Sequence, residues 1–395
     1  MDKMDFQRGN PQEEGPKRVA KKKAGRRWLW LGGVVLAVLV IVTVAVLWDS
    51  TTFDGLRRAV IYAAAEKDET GCAQLYRYAS EKDSAYASVG GSLIQATERR
   101  IILLGEDGQT RYNQDVKFHR VAIATRGELA AVYDIGGSEI YLLDAKGLVR
   151  KIAAEGEVFA CTINESGAMA VTLHKSGCKA AVVVYNEKGE KVFGFNSNDR
   201  FLMTAALSED GKQMAAVAMG QSEGVFASSL VIYAMNSTEP LAECALPGGA
   251  VYDLGVVDGR WCAVGEDGIH FVSSAGERVA YYDFEGTYLR RCSLQGQEAI
   301  TLLLGRYKSG TQTQLVTVDT DGVQLAIQDV DREVLSIHGA GKYAAVLYSD
   351  ELVIYEKTLE AYARLQDVSA AKMALMRPDG SAVLVGADAA SLYLP

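Results

Sequence analysis

The stretch EVFACTINESGAMAVTLHKSGCKAAVVVYNEKGEKVFGFN, residues 157–196, decides the fold. It divides into four short runs rich in Val, Ala, Phe and Thr, separated by NESG at 164, HKSG at 174 and NEKG at 186. β-Branched and aromatic residues suit a pleated surface, and a glycine closes a turn in the left-handed region without a Cβ clash, so the stretch reads as four strands and three turns. The third run has counterparts along the chain: IILLG at 101, IYLLD at 140, VVVYN at 182, LVIYA at 230, IHFVS at 269, LVTVD at 315, LVIYE at 352 and SLYLP at 391. Successive copies lie 37 to 48 residues apart. Four strands repeated at that interval are the period of a propeller blade. The expected fold is all-β, a β-propeller of eight four-stranded blades, with seven as the alternative. Helix-pair solenoids share the period but not the β-branched, Gly-bounded composition.

Turns recur with the strands: GEDG at 105, SEDG at 208, VVDG at 256, GEDG at 265, DTDG at 319 and RPDG at 377, besides NESG and NEKG in the first stretch. A polar pair followed by Gly predicts a type I turn closed by a left-handed residue. None has the ligand spacing of a calcium loop. The eighth repeat reaches Pro395 after its third strand. A ring cannot leave a sheet edge open, so a strand within 72–90, for example AYASV at 85–89, is expected to complete it.

Ahead of the repeats, WLWLGGVVLAVLVIVTVAVLW at 28–48 is 21 residues long and uncharged. As a helix it spans roughly 30 Å, the hydrocarbon thickness of a bilayer. Trp28, Trp30 and Trp48 fall at its ends, where indoles favour the headgroups, and Lys21, Lys22, Lys23, Arg26 and Arg27 precede it. The positive-inside rule puts the N-terminus in the cytoplasm and the C-terminal part outside. A cleaved signal has a shorter apolar core and a small-residue cleavage site, which VAVLWDS does not supply. The expected organisation is a disordered basic tail at 1–27, one transmembrane helix at 28–48, a partly helical connector at 49–83 and an extracytoplasmic propeller at 84–395. The implied partners are the lipid bilayer and an envelope protein.

Hydrophobic residues make up 49% and charged residues 23%, enough apolar content for a packed core. The net charge of −9 divides into +5 on residues 1–27 and −14 on the rest, which argues against nucleic acid as a partner. The histidines His119, His174, His270 and His338 stand alone, and the six cysteines have no metal-like spacing. Cys161 and Cys178 are the nearest pair for a disulfide, although most of the cysteines sit in apolar strands as free thiols do. No nucleophile elbow, phosphate loop or dinucleotide fingerprint occurs. No catalytic, cofactor-binding or metal-binding residue is therefore expected.

Two repeats are lengthened at the same place, between their second and third strands: MGQSEGVFASS at 219–229 and GRYKSGTQTQ at 305–314. Loops on one face of a rigid scaffold are where recognition concentrates. Gln221, Ser222, Glu223, Phe226, Arg306, Tyr307 and Lys308 are the candidate recognition residues.

The runs LAAVYDIGGSEIYLLDAKG at 129–147, INESGAMAVTLHKSGCKAAVVVYNEKGEKVFGF at 163–195 and AALSEDGKQMAAVAM at 205–219 resemble a bacterial family of unknown function, numbered 5711. Its members, mostly from Firmicutes, have a basic tail, one transmembrane helix and a propeller-like outer domain. The resemblance implies that architecture and carries no catalytic residues. More loosely the outer part is similar to WD40-like and quinoprotein-like propellers. It lacks their motifs, since its Trp-Asp dipeptide is Trp48-Asp49 and Trp261 alone remains beyond the anchor. The expected role is a membrane-anchored, non-catalytic binding or scaffolding module of the envelope. The alternatives are an enzyme processing cell-wall glycan or peptide in the channel, and a sensor signalling through the helix.

Overall fold

A computed structural model describes residues 54, 55, 58, 62, 68–222 and 224–395. The chain divides into two compact units at Leu56/Arg57, and the second is the propeller. The basic tail and residues 28–48, with Trp28, Trp30, Trp48 and the preceding lysines and arginines, lie outside the described residues. Among the described residues no helix is long and apolar enough to cross a membrane.

The described residues form eight antiparallel four-stranded sheets, so the ring has eight blades. Blades 1 to 7 are continuous segments, at 85–115, 121–153, 157–197, 201–246, 251–283, 288–330 and 334–366. Blade 8 takes three strands from 373–393, and its fourth is Cys72–Arg77. Each of the eight recurring apolar runs is the third strand of its blade. These runs are mostly apolar, with His270 and Thr317 as buried exceptions, because both of their faces are covered. Ala180–Tyr185 and Glu351–Tyr355 are buried at every position, whereas the outermost strand Thr110–Asp115 is largely exposed.

The core is distributed around the ring. Eight apolar clusters each lie between two neighbouring blades, so every blade is stacked on both faces. The cluster joining blades 8 and 1 includes Ala73 and Tyr76 from the closing strand.

The closing strand falls within the expected window, but it is not AYASV. Ala85–Val89 pairs with Ser92–Ala96 through Gly90 and Gly91, at φ 48° and 85°, and is the innermost strand of blade 1. A two-residue glycine turn makes that hairpin local, so the distant edge of blade 8 is left to the preceding segment. Cys72–Arg77 runs antiparallel to Ala389–Tyr393. The propeller therefore begins ahead of residue 84, inside the stretch read as connector. Of that stretch's helical part, only Asp54, Gly55 and Arg58 are described as helical.

The seam is clasped from both sides. Arg58 donates to the Asp379 carbonyl at 2.6 Å, the Tyr362 hydroxyl at 2.6 Å and the Pro395 carbonyl at 3.0 Å. Arg377 is buried among neutral acceptors: the Ser88 hydroxyl at 3.0 Å, those of Tyr62 at 3.3 Å and Tyr76 at 3.4 Å, and the Gly91 carbonyl at 2.8 Å. These bonds tie the leading segment, the closing strand, blade 1 and blade 8 together.

The turn prediction holds at Gly108, Gly167, Gly189, Gly211, Gly322 and Gly380, all at positive φ. The second GEDG differs. Gly268 has no positive φ and opens a strand, and a Cβ there would meet the Tyr282 carbonyl oxygen at 2.3 Å. Close backbone approach, not turn geometry, requires that glycine.

Candidate binding face and central channel

In an antiparallel four-stranded meander, the turns from first to second and from third to fourth strand share one edge. The connection from second to third strand, and the link to the next blade, share the other. The ring therefore has two chemically distinct faces. The clasp of Arg58 and Asp379 lies on the first face, and 219–229 and 306–312 lie on the second.

The channel opens on the first face. A cavity of about 580 Å³ at its mouth is lined from all eight blades, and a second of about 370 Å³ lies against it. At the mouth Arg126 of blade 2 faces Glu165 of blade 3 at 3.9 Å and Glu209 of blade 4 at 3.5 Å. Between the cavities Gln295 of blade 6 donates to the Thr125 hydroxyl of blade 2 at 2.9 Å, across the ring. Glycines make room for this crossing. Gly255 of blade 5 and Gly339 of blade 7 flank the segment, and a Cβ on either would meet Leu294 or Ser293 at 3.0 Å. The Gly339 N–H donates to the Ser293 hydroxyl at 2.8 Å, and Gln297 N–H to the Gly341 carbonyl at 2.8 Å, fixing the segment's course.

The inner cavity holds titratable groups whose pKa values are shifted by burial. Asp253 is reached by solvent yet walled by protein, and that enclosure raises its carboxyl above the ordinary range, opposed in part by the Leu254 N–H at 2.8 Å. Burial lowers His338 to about 4; its Nδ1 accepts the Met376 N–H at 3.2 Å, so the neutral ring carries its proton on Nε2. Burial pushes the Cys161 thiol up to about 12 and raises that of Cys292 as well, so neither is a thiolate near neutral pH. All six cysteines are free. Among the described residues no group of three His, Cys, Asp or Glu is placed to hold a metal ion.

The second face is aromatic. Phe159 of blade 3, Phe201 and Phe226 of blade 4, Tyr252 of blade 5, and Tyr288 and Tyr307 of blade 6 stand exposed there, from 39% for Tyr288 to 69% for Phe226. Their placement has a backbone cause. In blades 3 to 7 the innermost strand is bulged at its second or third residue: Phe159, Met203, Tyr252, Arg290 and Leu335. A bulge leaves one residue unpaired and re-aims its side chain. In blades 3 and 5 the re-aimed residue is an exposed aromatic.

The candidate loops behave differently from one another. Residues 219–229 form a hairpin, not a loop. Gln213–Ser222 and Val225–Ala234 stay paired to Ser222↔Val225, beyond the last pairing of the flanking strands at Met219 and Ser228. A two-stranded ribbon therefore rises from the face, with Gln221 opposite Phe226 and both edges unpaired. The backbone of Ser222 closes this pairing, and Glu223 lies outside the described residues. Arg306, Tyr307 and Lys308 sit in an open connection two blades away, so the two groups share a face but not a pocket.

Length alone singled out Phe226 and Tyr307. Phe159, Phe201, Tyr252 and Tyr288 were missed, although the signal was present: each is one of the first three residues of an innermost strand, visible once the repeats are aligned.

Residues 68–363 match the model of a family of unknown function, DUF5711. No curated protein matches the sequence. Among solved structures, the C-terminal WD40 domain of Sif2 is similar over 81% of this chain and 97% of that one, at 12% identity and a TM-score of 0.58. The computationally designed Ika8 protein is similar over 81% of this chain and 99% of that one, at 11% identity and a TM-score of 0.54. At such identities the likeness is one of fold.

Proposed function

The chain belongs to the DUF5711 family of unknown function, and from its exposed surfaces we propose that it is a non-catalytic binding or scaffolding module of the cell envelope. In this reading residues 28–48 anchor it in the membrane, the basic tail lies in the cytoplasm and the propeller stands outside. Residues 49–57 separate the anchor from the clasp at Arg58, a tether of at most about 30 Å when extended.

The observation that carries the proposal is the run of six exposed aromatics on one face of four consecutive blades. Isolated exposed apolar residues are ordinary, but six aromatics gathered on one face of neighbouring blades mark an interaction surface. The channel supports catalysis less well. Its mouth carboxylates Glu165 and Glu209 share Arg126, and its thiols are held protonated.

Site-specific photo-crosslinking in cells tests the proposal. Crosslinkers at Phe159, Phe226 and Tyr252 are expected to capture one common envelope protein, and crosslinkers at Glu106 and Asp321 are the controls. Capture of unrelated proteins at each aromatic position, or equal capture at the controls, would count against a dedicated binding face.

A further inference from the structure

Blade 6 gathers cations that lack acidic partners. Its innermost strand, Tyr288–Ser293, reads YLRRCS, and the connection at 306–312 reads RYKSGTQ, with no acid in either. The register sets Tyr288 opposite Gly305, so the two segments meet at the aromatic face. Gly305 leaves space for Arg290, whose Nε lies 2.6 Å from where a Cβ would stand. Arg290 also donates to the Gly310 carbonyl at 3.3 Å, pinning the loop to the strand. The Lys308 ammonium lies 5.5 Å from the Tyr288 ring centroid, and the Arg306 guanidinium lies 5.8 Å from that of Tyr307.

Two arginines elsewhere on this face are matched, Arg200 with Glu243 at 2.5 Å and Arg332 with Glu351 at 2.6 Å, while Lys179 lies over the Phe201 ring and donates to the Asp199 carbonyl. Among the described residues no carboxylate lies within ion-pair distance of Arg290, Arg306 or Lys308. In a chain with 50 acids against 41 lysines and arginines, that concentration is local and specific.

We propose that this patch binds an acidic segment of a partner protein, one that sets an aromatic or aliphatic side chain beside its carboxylates. Guanidinium and ammonium groups supply the charge complement, and the exposed rings of Tyr288 and Tyr307 supply apolar area. A long polyanion would use the charges alone and would meet Glu266 and Asp267, which lie near Tyr252 on the neighbouring blade. The proposal rests on the binding-module reading and names the chemistry of its partner.

The test uses the full chain in detergent micelles with three probes. The first is a fluorescein-labelled twelve-residue peptide alternating Glu with Phe or Leu. The second replaces each Glu with Lys, and the third is inorganic polyphosphate. The acidic peptide is expected to bind and the lysine peptide not to. Arg306→Glu with Lys308→Glu should weaken binding about tenfold or more, Tyr307→Ala should weaken it several-fold, and added salt should weaken it further. The milder pair Arg306→Gln and Lys308→Gln serves if charge reversal disturbs folding.

The proposal is overturned if the acidic peptide fails to bind or ignores both double variants. It is also overturned if polyphosphate binds as tightly and Tyr307→Ala changes neither probe, which would leave a general anion site. Persistent crosslinking from Phe226 in cells carrying the double variant, together with no peptide binding, would sink this inference and leave the binding-face proposal standing.

Discussion

Arg377 shows how much can rest on one side chain. Its guanidinium is buried with hydroxyls and a carbonyl as partners, and no carboxylate is among them. Arg377→Met keeps much of the volume but removes the donor to Tyr76, Tyr62 and Ser88, and leaves the Gly91 carbonyl only the Tyr76 hydroxyl at 3.0 Å. Leaving buried polar groups unpaired costs about 2–3 kcal/mol here, to be read as a lower urea midpoint with an unchanged slope. His270 makes a second prediction. It is buried against Tyr281 with ring centroids 4.6 Å apart, and burial, with Arg278 nearby, lowers its pKa to about 4. The unfolded chain takes up the proton near pH 6.5 and the folded one only near 4. Stability is therefore complete above 6.5 and declines as pH falls between those values, by on the order of 3 kcal/mol. His338 acts in the same direction. Thermal unfolding should show this slope, and His270→Phe should flatten it.

At the scale of elements, the ribbon in blade 4 separates stability from recognition. Its tip, 220–227, pairs only with itself, because the flanking strands end their pairing at Met219 and Ser228. Replacing 221–226 by a two-residue Asn-Gly turn should leave the unfolding temperature nearly unchanged while abolishing capture from the aromatic face. A fall of many degrees would place the ribbon in the core instead. The same region shows what could be read without coordinates. Strand type and blade order follow from period and composition, because a strand buried on both faces is apolar at most of its positions. A lengthened repeat could be located but not told apart from a loop, since whether extra residues pair depends on their neighbours across the hairpin. The bulges were less accessible still. A bulge is a property of two strands in register, and VFACT or VYDLG alone does not announce it. AYASV was misplaced for a related reason: several short strands could satisfy the open edge, and the Gly90-Gly91 turn commits that one to its own hairpin.

For the whole molecule, the seam governs cooperativity. Eight interblade clusters make a closed set, so opening one joint exposes apolar surface on two blades. A chain begun at residue 68 retains the closing strand but loses Arg58 and Tyr62. It should fold with a lower unfolding temperature. A chain begun at residue 79 loses Cys72–Arg77 as well and leaves an apolar strand edge on blade 8, so it should aggregate on expression. Equal behaviour of the two truncations, compared by scanning calorimetry and gel filtration, would show that closure does not depend on that strand.

Blades 2 and 6 stand at opposite ends of a diameter, and the bond between Gln295 and Thr125 spans it. The propeller is thus a wheel with a spoke. A ring held only at its rim can flatten along one axis while bulging along the other. Here the flattening that draws blades 2 and 6 apart must first break that contact. Along that diameter the hub carries a contact that the rim does not supply, and among the described residues no side-chain hydrogen bond crosses the ring at right angles to it, between blades 4 and 8. Those are the blade with the raised ribbon and the blade with the clasp.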